Sequence, residues 1–198
     1  MFKLIYGVFA MTFMFNSATA SELKPQELPR PILTGGKPLM EVIAFRKSDR
    51  TFSKKDIDSQ TLSEILWSAW GISHDGKRTI PTSMNKQDLK VYVFKSDGVW
   101  LYNAANNSLE PIINNDKRNL FATQDFVKSA PLTLLYTGTD SKNSPLHAGS
   151  AYQNVGLYCA SKGLNNVVRG YFDRELIEQS LNLPTEEKAI ISQTIGWK

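Results

Sequence analysis

The chain of 198 residues carries 23 Lys+Arg against 19 Asp+Glu, a net charge of +4, with 41% hydrophobic and 21% charged residues. That balance excludes wholesale disorder and a multi-span membrane protein, and the length suits one domain that buries about 70% of its unfolded surface without a metal or disulfide. A lone cysteine, Cys159, excludes an internal disulfide framework, and His74 and His147 are too few and too far apart for a His/Cys zinc site. Basic residues never run beyond two in succession, which argues against a nucleic-acid partner.

Residues 1–20 differ in kind from the rest. One charge, Lys3, precedes an apolar run from Leu4 to Phe15, and Ala18-Thr19-Ala20 gives a small-x-small site before Ser21. This is the layout of a secretory signal peptide. The apolar run is about 12 residues, short of the ~20 that span a bilayer. Cleavage after Ala20 is therefore expected, with no stable membrane anchor afterwards, and the absence of a twin arginine indicates a Sec-type route to a periplasm or beyond. A cysteine with no partner in the chain suits that oxidising compartment.

Residues 21–37 hold three prolines and Gly35-Gly36 and read as an extended leader. A domain over 38–198 follows. Residues 38–45 form a short helix. Leu62, Ile65, Leu66 and Ala69 fall on one face of a helix over 58–71, with Gly71 at its stop. Residues 90–95 and 99–103 are rich in β-branched and aromatic side chains, and Asp97-Gly98 between them signals a hairpin. Residues 132–137 form another strand. A helix over 146–162 carries Tyr152, Val155, Gly156 and Cys159 at helical spacing and stops at Gly163. A strand over 166–169, a helix over 173–181 opened by Asp173, and a strand over 189–195 complete the order.

Several chemistries are set aside. The chain has no G-x-G-x-x-G after a strand, no phosphate-binding G-x-x-x-x-G-K-[ST], and no G-x-S-x-G elbow. Cys159 reads as a packed side chain, and His74 and His147 as local structure rather than catalysts. Three segments remain. In Arg46-Lys47-Ser48-Asp49-Arg50, an extended backbone puts two guanidinium groups and a hydroxyl on one face, suited to a phosphate, although solvated charge alternation gives the same pattern. Pro81-Thr82-Ser83-Met84-Asn85-Lys86-Gln87 offers donors and acceptors to a planar heterocycle, or is an ordinary polar turn. Gly163-Leu164 followed by Val167-Val168-Arg169-Gly170-Tyr171-Phe172-Asp173 joins a helix, a short strand and a second helix.

In this order and spacing the three segments resemble the FMN-dependent nitroreductase family, from about Pro38 to Lys198. The R-x-S-x-R start, the P-S-x-x-N-x-Q loop with Thr82 in the usual serine place, the G-L pair and the G-F-D region are all represented. Leu66-Trp67, Ala69-Trp70-Gly71 and the run from Asp97 to Tyr102 look more like a branch that includes oxidases converting peptide azolines to azoles. The resemblance implies an α+β fold with an antiparallel-rich central sheet flanked by helices. It also implies a homodimer, FMN at the subunit interface, and ping-pong hydride transfer through flavin N5. It places Arg46 and Ser48 on the phosphate and Arg50 at the pyrimidine edge of the ring. Thr82, Ser83 and Asn85 would contact the flavin of the partner subunit, with backbone at Arg169 and Gly170 near N5. No catalytic acid, nucleophile or metal ligand is then required.

Three positions depart from the pattern. Asp88-Leu89 stands where many members have Pro-Trp, Arg169 where an acid or glycine is frequent, and only Lys198 remains of a basic tail. The substrate is a small molecule, and neither it nor the electron donor is legible. The alternatives are an azoline-type heterocycle dehydrogenase, or a binding protein that kept the fold without the cofactor.

Overall fold

A computed structural model describes residues 23–198; the expected signal peptide lies outside them. Seven strands form one sheet: β1 (Gln26–Glu27), β2 (Lys90–Lys95), β3 (Gly98–Asn103), β4 (Ser108–Ile113), β5 (Leu132–Gly138), β6 (Leu164–Arg169) and β7 (Lys188–Trp197). Their order is β1-β4-β3-β2-β5-β7-β6, and every pairing is antiparallel. Four helices accompany them: α1 (Leu39–Phe45), α2 (Ser59–Trp70), α3 (Ser144–Lys162) and α4 (Arg174–Ser180).

Strand alternation divides the core. Val91, Val93, Leu134 and Tyr136 point to the face covered by α2 and α3, whose Leu62, Ile65, Leu66, Ala69, Ala148, Ala151, Val155 and Cys159 complete that layer. Tyr92, Phe94 and Leu135 point the other way, where two 3-10 turns (Arg118–Phe121 and Asp125–Ser129) and α4 cover them. There Phe121 packs edge-on against Phe94 and Phe172, with centroids 4.8 and 5.5 Å apart.

The helix ends follow local chemistry. Asp58 accepts the Thr61 amide at 2.8 Å and caps α2. Gly71 ends α2, but with φ −65 rather than in the left-handed region. It is glycine because an added Cβ would stand 2.3 Å from Trp67 Cδ1. Gly163 ends α3 at φ 78, the conformation glycine adopts at no steric cost. Helix α3 begins at Ser144, before the expected start, because the Asp140 carboxylate takes the amides of Lys142 and Asn143 at 3.0 and 3.1 Å. Asn143 Nδ2, which donates to Asp140 Oδ2 at 2.8 Å, and then these amides hold the Asp140 carboxyl well below the usual carboxylate range.

Two strands lay outside the sequence expectation. In β4, Pro111 interrupts the hydrogen-bonding pattern and the register with β3 shifts between Val99 and Trp100, so the strand carries a bulge. The leader contributes β1 and then runs along α2. Ser63 Oγ donates to the Pro29 carbonyl at 2.5 Å, and Gln60 Nε2 donates to the Arg30 carbonyl at 3.1 Å. At its far end the Lys37 amide donates to Ser161 Oγ at 3.0 Å.

Candidate flavin site

Residues 46–53 leave α1 and run beside the edge strand β6. The Asp49 amide donates to the Asn166 carbonyl and the Ser53 amide to the Trp197 carbonyl, both at 2.9 Å; Asn165 Nδ2 donates to the Thr51 carbonyl at 2.7 Å. The Asp49 carboxyl is held below its ordinary range, first by the Thr51 amide and also by Lys47. The two arginines of this segment stand on different supports. Arg46 lies against α3, where a Cβ on Gly156 would be 3.5 Å from its Cδ and 3.6 Å from Asn166 Oδ1. Arg50 is exposed and lies over the Phe126 ring, its Cζ 5.9 Å from the centroid. Phe126 belongs to the layer on the opposite side of the sheet from α3. The segment therefore wraps the sheet edge, with exposed Ser48 between the two arginines.

Arg169 and Gly170 end β6. The Arg169 side chain is buried, at 4% exposure, and turned into the protein. It donates to the Phe121 carbonyl (2.9 Å), Thr123 Oγ1 (2.7 Å), Gln124 Oε1 (3.1 Å) and the Tyr171 carbonyl (3.2 Å). All four acceptors are neutral. Its guanidinium stacks on Phe126 at 5.4 Å, so Arg50 and Arg169 share one ring. Burial, and then the Arg50 charge, lower its pKa. Only the backbone here is free to approach a ligand. Gly170 leaves room for that approach: the one heavy atom close to an added Cβ is Arg174 Nη2, at 3.7 Å. Arg174, Tyr152, Ile190 and Ile191 line an adjoining cavity of about 720 Å³. Lys198 lines a separate cavity of about 310 Å³ with Lys47, Asp49 and Asn166.

The 82–87 loop lies elsewhere. Met84, Asn85 and Gln87 take φ values of 50, 54 and 49, the left-handed region that non-glycine residues seldom enter. Gln87 anchors one end, accepting from Arg78 Nε at 2.8 Å and donating to Asn85 Oδ1 at 3.0 Å. Arg78 in turn stacks on Trp70 at 4.6 Å. The other anchor is His147, in the first turn of α3: its Nε2 accepts the Ser83 amide at 2.8 Å, and its Nδ1 meets Asp88 Oδ1 at 2.8 Å. Sequence reasoning treated His147 as structural and read Asp88 only as a departure. The pair is separated by 59 residues, so no local motif announces it.

Thus, within one chain, Thr82, Ser83 and Asn85 stand apart from the segment that carries Arg46 and Ser48. Along α3, the loop is anchored at His147 and Arg46 at Gly156, roughly 13 Å of helix away.

Other chemistries find no support. Among the described residues no group of three or more His, Cys, Asp or Glu side chains could hold a metal ion, and no helix is long and apolar enough to cross a membrane. Cys159 is fully buried and burial pushes its thiol pKa up, which disfavours the thiolate.

The family profile described as the Nitroreductase family matches residues 43–197. A candidate nitroreductase of Methanocaldococcus jannaschii is 26% identical over 183 residues, covering 81% of this chain and 91% of the relative. The crystal structure of a candidate nitroreductase from Ralstonia eutropha superposes with a TM-score of 0.83 at 34% identity, covering 91% of each chain. An FMN-dependent nitroreductase of Clostridium difficile shares the fold, with a TM-score of 0.58 at 18% identity over 80% of this chain and 87% of that one. With that profile spanning most of its length, the chain belongs to the Nitroreductase family.

Proposed function

We propose that the protein is an exported FMN-dependent oxidoreductase that works as a homodimer. The observation that carries this reading is the separation along α3. The phosphate-type donors and the polar loop are anchored nine residues apart along α3, and in a two-fold dimer the loop of each copy would approach the other's Arg46. The exposed apolar side chains of α1, with Leu39, Met40 and Phe45 at 63, 74 and 65% exposure, give such an association a surface to bury.

The residues fit FMN. Arg46 and Ser48 supply a cation and a hydroxyl for a phosphate, and Gly156 leaves the space beside α3 that a larger side chain would take from Arg46. Gly170 leaves the backbone open where a planar ring would lie against it. Bound flavin supplies the hydride chemistry. The chain then has to bind, orient and exclude water, and the one buried His–carboxylate pair is already committed to the Ser83 amide.

Protein purified from its native compartment is expected to show the visible absorption of oxidised flavin and to scatter light as about twice the monomer mass. A monomer carrying a full complement of FMN would sink the shared-site reading. Export is tested by intact mass: the native protein is expected to begin at Ser21, and a mass that retains residues 1–20 counts against it. A Sec substrate crosses unfolded and must then acquire FMN outside the cytoplasm, so a colourless native protein alongside a flavin-binding recombinant one would favour the cofactor-free binding role.

A further inference from the structure

The Ser83–His147–Asp88 contact fixes a protonation state by geometry. A backbone N–H can only donate, so His147 Nε2, 2.8 Å from the Ser83 amide, must accept and carries no proton. The imidazole proton is therefore on Nδ1, where it donates to Asp88 Oδ1 at 2.8 Å. His147 is neutral in this arrangement and 4% exposed.

We propose that His147 is a positioning residue: its neutral imidazole latches the 82–87 loop in the shape that receives the flavin, and its protonation releases that loop. The flavin part of this inference rests on the reading given under Proposed function. A second proton could go only to Nε2, where it would face the Ser83 N–H. Two donors cannot share that line, so the Ser83 amide must leave. The loop is prepared to move, because Met84, Asn85 and Gln87 are held at positive φ and Met84 is 82% exposed.

The groups facing the imidazole are the Asp88 carboxylate, on the segment entering β2, the Ser83 amide of the loop, and the N-terminal turn of α3 to which His147 itself belongs. Ser144 Oγ and the Asp140 amide (3.4 Å) both donate to Asp88 Oδ2, which spreads that carboxylate's charge over neutral donors. Asp140 itself pairs with Lys86 Nζ at 3.1 Å, so the loop's own cation is neutralised at the same junction. Burial raises the Asp88 pKa, and the Ser144 and His147 hydrogen bonds outweigh it, so Asp88 remains ionised across the range in which imidazoles titrate.

The test is amide hydrogen exchange, expressed as protection factors corrected for intrinsic rates, at pH 8 and pH 5. It is made on the full mature protein and on His147→Gln. Glutamine stays neutral, and its amide can accept from Ser83 and donate to Asp88. In the wild type the Ser83 protection factor is expected to fall about tenfold at pH 5, while amides of β5 hold theirs. In His147→Gln the fall should vanish. FMN affinity, measured by fluorescence quenching under the same conditions, should weaken at pH 5 by more in the wild type than in His147→Gln, whose smaller loss reports protonation of the FMN phosphate itself. Unchanged Ser83 protection in the wild type overturns the latch, even if the variant does not fold. A fall in protection with the same loss of FMN affinity in the wild type and in His147→Gln overturns its positioning role. Failure to bind FMN at either pH overturns the flavin reading instead, and the exchange data still decide whether the latch exists.

Discussion

Replacing Arg169 with methionine is expected to lower folding stability by about 3 kcal/mol, read as a urea midpoint lower by roughly 1–2 M. Methionine keeps most of the buried length and removes the donors. The carbonyls of Phe121 and Tyr171 then lose a charged partner, as do Thr123 Oγ1 and Gln124 Oε1. A hydrogen bond to a charged group contributes about 1.5–3 kcal/mol, but part of that returns, because the variant no longer desolvates a guanidinium that has no carboxylate partner. Arg169→Lys should recover little, since one ammonium cannot reach acceptors spread around a planar fork. A methionine variant whose folding stability stays within about 0.5 kcal/mol of wild type would show that the four bonds carry no net weight.

Arg46→Leu is expected to weaken FMN binding by about 10- to 100-fold with little change in flavin midpoint potential, whereas Arg50→Leu should lower the potential by about 30 mV. A phosphate contact is the same whether the flavin is oxidised or reduced, so its loss falls on affinity. A cation facing the pyrimidine edge favours the reduced form, which carries negative charge there, so its loss falls on potential. Charge-assisted bonds of 1.5–3 kcal/mol would allow a drop of about 30–65 mV. The smaller figure is expected because Arg169 stands on the other contact of Phe126 and keeps part of the positive field when Arg50 is gone. Potentiometric titration beside equilibrium binding separates the two roles. An Arg50 variant that keeps its potential and loses FMN would make Arg50 a phosphate ligand. Gly156→Leu offers an independent check, since a side chain there must displace Arg46 and should reproduce the Arg46→Leu affinity loss.

Elements that carry their own pattern were legible in the sequence. The apolar stripe of α2, the Asp97-Gly98 hairpin and the Gly163 stop are each local, and each stands where its spacing put it. Strand β4 escaped because Glu110 and Pro111 break strand alternation. It is made a strand by β3 on one side and the leader's two-residue β1 on the other. At the site, sequence order suggested which residues are polar and near a turn, but not where side chains point. Arg46 and Arg50 alternate on paper, yet the segment bends around the sheet edge and gives them different supports. Arg169 was visible as an unusual residue; that its side chain faces inward depends on Phe121, Thr123 and Gln124, contributed by a 3-10 region that no periodicity marks. The one available signal for the latch was the coincidence of an aspartate in an unexpected place with a histidine near a helix start.

The position of β7 governs how the chain must assemble in time. Strands β2, β3 and β4 pair with sequence neighbours through short turns, so that half of the sheet closes fast. Strand β5 then presents a fully buried, hydrophobic strand whose second edge has no partner until β7 arrives, with Leu132 paired to Ile195 across α3, β6 and α4. Strand β6 likewise waits for β7, its Leu164 pairing with Trp197. Loop closure over that distance makes insertion of β7 the slow, cooperative step, and before it the exposed edge of β5 is a template for aggregation. During synthesis the sheet stays divided until its last-made strand is available. A chain in that condition is easy to hold unfolded, because half of its sheet still lacks the strand that joins it.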